Sequence, residues 1–156
     1  MRFVLWMLMG MAMTEAADVR RQLIGVWELV SYETKTPDGK VLLPIGEAPV
    51  GRITYDKEGR MSAQLMRRGV AKFASNNTQQ ATPAEIAGIW DTYRGYFGRY
   101  TVDEKKKAVI HHVDGAWFPN YVGSDQVRYY RFEADRLILE ADLPTGRSTI
   151  VWRRAK

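Results

Sequence analysis

Tyr96-Phe97-Gly98-Arg99-Tyr100-Thr101-Val102, then Asp103-Glu104-Lys105-Lys106, then Lys107-Ala108-Val109-Ile110-His111-His112-Val113: this stretch decides the fold. Side chains alternate across a β-strand, so apolar parity marks an inner face. In the first half Tyr96, Gly98, Tyr100 and Val102 share one face, and Arg99, Thr101 and Asp103 share the other. In the second half Val109, His111 and Val113 share a face opposite Ile110, His112 and Asp114. The charged segment between the halves reads as a solvated hairpin tip, so the two strands are antiparallel neighbours.

The same grammar extends in both directions. Leu23 to Glu33 reads as a first strand, turned by Thr36-Pro37-Asp38-Gly39 into a short return at Lys40 to Leu43. Gly51 to Tyr55 and Arg60 to Arg67 flank Asp56-Lys57-Glu58-Gly59. Gln126 to Phe132, Leu137 to Ala141 and Ser148 to Arg153 follow, each separated by a short polar turn. One helix interrupts the meander. Thr82-Pro83-Ala84-Glu85 has the form of a capping box with Pro at the first helical position. Ile86, Ile89, Trp90, Tyr93 and Phe97 then recur at helical spacing, with Gly95 as a stop, which predicts an amphipathic helix over about 83–95 covering a barrel end or wall. Short strands joined by tight turns predict an all-β fold: an antiparallel up-and-down barrel of about eight to ten strands, closed so that no sheet edge is exposed. A barrel of that size encloses one small ligand.

The chain has 156 residues, enough for one domain with a real core, and 46% of them are hydrophobic. The formal net charge is +5, but the basic residues are scattered and no outward face joins an aromatic row to a basic stripe. Nucleic acid is therefore not expected as a partner. There are no cysteines, which excludes disulfides, thiolate nucleophiles and Cys-ligated zinc. The start reads differently from the rest. Met1-Arg2 is followed by an almost unbroken apolar run from Phe3 to Met13 and then small residues at Ala16 and Ala17. This predicts a signal peptide at 1–17, cleaved near Ala16 or Ala17, ahead of a barrel domain at 18–156, and a periplasmic or secreted location. The run is short for a membrane span, so none is expected after cleavage.

The inner-face parity carries four polar-capable side chains into the barrel: Tyr100, His111, Gln126 and Arg128. A filled apolar core has no use for them, and an unpartnered inward Arg is destabilising. A partly wet cavity uses them as orienting groups among aromatic walls; a self-satisfied internal network is the other reading. His111 and His112 point to opposite faces of one strand and no third His exists, so no metal site is expected. The sequence holds no nucleophile elbow, phosphate loop or dinucleotide fingerprint, and no cofactor is expected. The loop Asp114-Gly115-Ala116-Trp117-Phe118-Pro119-Asn120-Tyr121-Val122-Gly123 sets aromatic residues between two strands. It is expected to fold over the barrel mouth, or to pack on the helix at Trp90 and Tyr93.

Gly25-Val26-Trp27 is similar to the Gly-x-Trp signature of lipocalins, and Arg153-Arg154 resembles the basic residue that those proteins stack on that Trp. The longer pattern is more specific. Leu23 to Tyr32, Gly59 to Gln64, Tyr96 to Tyr100, His111-His112-Val113, Phe118-Pro119-Asn120 and Gly123 to Arg128 resemble the bacterial and fungal lipocalin-like domain family across nearly the whole mature chain. The resemblance implies a calycin-type barrel and no established catalytic set. The expected function is binding of a small, largely hydrophobic molecule with a carboxylate or enolate head group. Trp27, Tyr96, Tyr100 and Trp117 would supply wall, and His111, Asn120, Gln126 and Arg128 polar contacts. The alternative is a cyclase or isomerase using the same pocket, with His111 moving a proton while Tyr100 and Arg128 steady an oxyanion. The apparent leader favours binding over biosynthetic catalysis.

Overall fold

The structure is a computed structural model and describes residues 18–156; the leader expected at 1–17 lies outside the described residues. Nine strands follow one another: β1 (Gly25–Lys35), β2 (Val41–Leu42), β3 (Val50–Tyr55), β4 (Arg60–Met66), β5 (Tyr93–Asp103), β6 (Ala108–Ala116), β7 (Asp125–Glu133), β8 (Arg136–Leu143) and β9 (Gly146–Arg154). Their order in the sheet is β2-β1-β3-β4-β5-β6-β7-β8-β9, and β1 also pairs with β9. Eight strands thus close an antiparallel barrel, with β2 as a short flap on the far end of β1. The predicted all-β barrel is what forms.

β1 serves three neighbours. Gly25 to Glu28 pair with β3, Thr34 and Lys35 with β2, and Trp27 to Lys35 run along β9 with a bulge between Leu29 and Ser31. A bulge adds local bend and twist, which helps the sheet curl shut. A second irregularity sits between Phe97 and Gly98 where β5 meets β6. There a Cβ on Gly98 would lie 2.0 Å from the His112 carbonyl, so only glycine allows this approach.

One end of the barrel is plugged. Trp27 is buried there, its indole N–H donating to the Leu23 carbonyl at 2.8 Å. Arg154 lies 4.1 Å above its ring and donates to the carbonyls of Ile24 (3.0 Å) and Gln22 (2.5 Å). The stack expected from the Gly-x-Trp signature is therefore made by Arg154. The helical segment 18–23 lies across this end, with Leu23 wholly buried.

The helix differs from its predicted span. Helix α1 is Pro83–Ile89, opened by the capping box at Thr82 and Glu85, but it stops well short of residue 95. Trp90–Thr92 forms a 3₁₀ turn and Tyr93 already belongs to β5, paired with Met66, while Arg94 pairs with Leu65. The sheet edge of β4 offers these residues a ladder of backbone hydrogen bonds and the barrel needs it for closure, so tertiary pairing overrides the helical spacing. Phe97, expected on the helix's apolar face, instead points outward from the barrel and is 58% exposed.

A candidate ligand cavity under an aromatic lid

The strands carry the inner face toward the open end, where β1, β3, β4, β5, β7, β8 and β9 and the loop after β6 hold a cavity of about 110 Å³. Ile53, Ala63, Leu65, Leu139 and Ile150 form its apolar wall. Tyr32, Tyr96, Trp117, Tyr121 and Trp152 add rings, and Arg94 and Arg128 add two guanidinium groups. Among the described residues no carboxylate lines it.

The lid is the loop after β6. Trp117 stacks between Trp90 (5.0 Å between centroids) and Phe118 (5.6 Å), and Arg94 lies 4.3 Å over its ring. Phe118 meets Tyr121 edge-on at 5.2 Å, and Tyr121 meets Tyr96. Both expectations for the aromatic loop hold together: it folds over the mouth and packs on Trp90. Arg94 is held in place by the carbonyls of Trp90 (3.2 Å) and Tyr93 (2.9 Å) and by Asp91 (3.3 Å).

Beneath the cavity the pairing register sets Tyr100, His111 and Gln126 in one row across β5, β6 and β7. His111 is fully buried and both of its ring nitrogens are engaged: Nε2 lies 2.8 Å from the Tyr55 hydroxyl and Nδ1 2.7 Å from the Tyr96 hydroxyl. A neutral imidazole has one donor and one acceptor, so one phenol donates to it and the other accepts from it. Burial holds its pKa well below the ordinary histidine value, and the nearby charge of Arg128 and then His112 push the same way. Burial likewise raises Tyr55 and Tyr96, so both phenols stay protonated.

Arg128 reaches inward from β7, donating to its neighbour's carbonyl at Val127 (2.9 Å) and to Gln126 Oε1 (3.3 Å). Gln126 is itself held by Nε2 donating to Ser124 Oγ at 2.8 Å, so its role is to position the guanidinium. Of the residues singled out from sequence, Tyr96, Trp117 and Arg128 line the cavity, and His111 lies behind Tyr96. Tyr100 donates to the Asp56 carbonyl at 2.9 Å, with Arg20 at 5.7 Å from its ring, and does not line the cavity. Trp27 stands at the plugged end and Asn120 is exposed on the lid. His112 faces outward, bonded to Asp125 (2.6 Å) and Thr101 (2.9 Å). Among the described residues no cluster of three or more His, Asp or Glu could hold a metal ion.

Tyr32, Arg94, Tyr121 and Trp152 complete the lining without having been foreseen. Trp152 was legible: it shares strand parity with Ile150. Arg94 was hidden by the overextended helix.

Residues 24–155 match the lipocalin-like domain family. The chain belongs to this family. Among known proteins, the 4'-hydroxy-3'-methoxypropiophenone carrier protein ppsC of Aspergillus oryzae is 31% identical over 106 residues, spanning 60% of this chain and 96% of that protein. Among solved structures, a redesigned β-barrel gives a TM-score of 0.44 at 9% identity, covering 88% of this lipocalin-like chain and 95% of that one. A variant of the fluorescent protein UnaG gives 0.40 at 9% identity, covering 86% and 96%.

Proposed function

We propose that this lipocalin-like barrel binds and carries a small, largely apolar molecule of about one aromatic ring, bearing an acidic oxygen. The observation that carries the reading is the composition of the cavity: apolar and aromatic walls, two guanidinium groups and no carboxylate. A cavity of about 110 Å³ is smaller than the ~150 Å³ that admits a benzene ring, which limits the enclosed part of the ligand to about one ring. Arg128 and Arg94 offer charge-assisted donors to a carboxylate, an enolate or an ionised phenol. The related Aspergillus oryzae protein is named as a carrier of a single-ring phenolic ketone, which agrees in size and polarity. His111 supports carriage over catalysis, because both of its nitrogens are taken by tyrosines and a proton could reach the cavity only through Tyr96. The proposal includes export, on the strength of the charged start and apolar run at 1–17.

Native mass spectrometry of the purified protein, with organic extraction in parallel, tests this first. A reproducible extra mass, and binding of 4-ethylbenzoate by titration calorimetry that weakens at least about tenfold in Arg128→Ala, is the expected result. A clean unliganded mass with no binding of 4-ethylbenzoate or of related phenols refutes the carrier reading.

A further inference from the structure

Two buried donors in the cavity wall have no acceptor among the described residues. The indole N–H groups of Trp117 and Trp152 are both shielded from solvent, and neither meets a hydrogen-bond partner there. Both rings line the cavity. Buried indole N–H groups are ordinarily paired, because leaving one unmade forfeits its hydration for nothing. The contrast with Trp27 is internal to this chain: that indole, also buried, donates to the Leu23 carbonyl at 2.8 Å.

The two orphaned donors sit at different depths. β9 runs from Gly146 at the mouth to Arg154, which stacks on Trp27 at the plugged end. Trp152 is two residues before Arg154, below Ile150, and its cross-strand partners are Leu29 and Leu137. It is 1% exposed. Trp117 belongs to the lid and carries Arg94 on its face. An acidic oxygen drawn to Arg94 therefore lies on the Trp117 side of the cavity. Trp152 stands apart, with apolar pairing partners.

We propose that the carried molecule has a second, uncharged hydrogen-bond acceptor at the end that enters first, a ketone, ester or ether oxygen, and that Trp152 donates to it. The inference rests on the carrier reading above and sharpens its ligand class: an apolar ring with an acidic oxygen toward the mouth and a neutral acceptor toward the plug. A ligand presenting an ammonium or a bare alkyl group at the buried end leaves the Trp152 donor unmade and is selected against.

The test compares 4-acetylbenzoate with 4-ethylbenzoate, which differ by one carbonyl oxygen. By titration calorimetry the wild-type protein is expected to bind the acetyl compound about fivefold to tenfold more tightly, as one neutral hydrogen bond gives. Trp152→Phe keeps a ring but removes the N–H, and should bring the affinities of the two compounds within about twofold of each other. Trp117→Phe should retain the preference. A second readout needs no variant: the Trp152 indole N–H resonance in the ¹⁵N-labelled protein should move downfield with 4-acetylbenzoate and not with 4-ethylbenzoate. Equal affinities in the wild type with an unmoved resonance, or a preference that survives Trp152→Phe, overturn the inference and leave the carrier reading standing. Loss of the preference in Trp117→Phe alone also overturns it. Failure of both benzoates to bind the wild type refutes the carrier reading itself.

Discussion

Acidification below the histidine range should destabilise this barrel through one side chain. His111 is held neutral in the fold by burial and by the charge of Arg128, so its folded pKa lies well below 6.5. The unfolded chain lets the same imidazole protonate near its ordinary value of about 6.5. Between these two pKa values the unfolded state binds a proton that the folded state does not, so stability falls as pH falls. Above about pH 6.5 the two states bind alike and the term is absent. The slope in the window is about 1.4 kcal/mol per pH unit, and the loss accumulated by about pH 5 is about 2 kcal/mol when the folded pKa lies lower still.

Urea unfolding followed by tryptophan emission reads this directly. A loss of about 2 kcal/mol corresponds to a midpoint lower by about 1 M between about pH 7.5 and about pH 5. Carboxylates with lowered pKa values, such as Asp56 and Glu140, add their own acid sensitivity at lower pH, so about pH 5 is the useful limit. His111→Gln supplies an amide that still bonds phenols and cannot titrate, and it should flatten the dependence while lowering stability at every pH. His112→Gln should keep it. An unchanged wild-type midpoint across the window, or the same slope in His111→Gln, would refute the account of a buried neutral imidazole.

Arg154→Ala removes the cation over Trp27 and two bonds to backbone carbonyls, and should lower stability by about 2 kcal/mol in thermal or urea unfolding. Gly98→Ala places a Cβ 2.0 Å from the His112 carbonyl at the β5–β6 irregularity, and should destabilise by at least about 2 kcal/mol or abolish soluble expression. Glu85→Ala breaks the capping box at Thr82 and the bond from the Ala74 amide, at about 1 kcal/mol, and limited proteolysis should show faster cleavage near the mouth loop with the barrel itself intact.

The barrel was legible because period-two alternation and turn chemistry agreed in nearly every segment, and in an up-and-down sheet each strand's neighbour follows from a short turn. Parity alone carried His111 and Arg128 inward, and Tyr130 and Phe132, which share Arg128's parity, pack against the core. The boundary at Tyr93 was not legible. Ile86, Ile89, Trp90 and Tyr93 keep helical spacing, and only the long-range pairing of Met66 with Tyr93 and Leu65 with Arg94 converts the end of that pattern to strand. Depth was the other blind spot. Alternation tells inside from outside but not mouth from plug, so Trp27 and Tyr100 were grouped with Tyr96 although one lies under Arg154 and the other bonds the Asp56 carbonyl.

An inward arginine normally demands a carboxylate, and the cavity holds none. What it has instead are neutral partners: Gln126 Oε1, the Val127 carbonyl and the Tyr96 phenol satisfy donors without cancelling charge. The depressed pKa of His111 belongs to the same arrangement, since a second cation behind Tyr96 would repel the first. Keeping the imidazole neutral and the phenols protonated sets neither a second cation nor an anion beside Arg128 at the apolar space, where charges are weakly screened. Arg94 has Asp91 as a partner, so the buried row that looks like acid–base machinery in the sequence is, in the fold, the support that lets the Arg128 guanidinium stay unneutralised at the open end of the barrel.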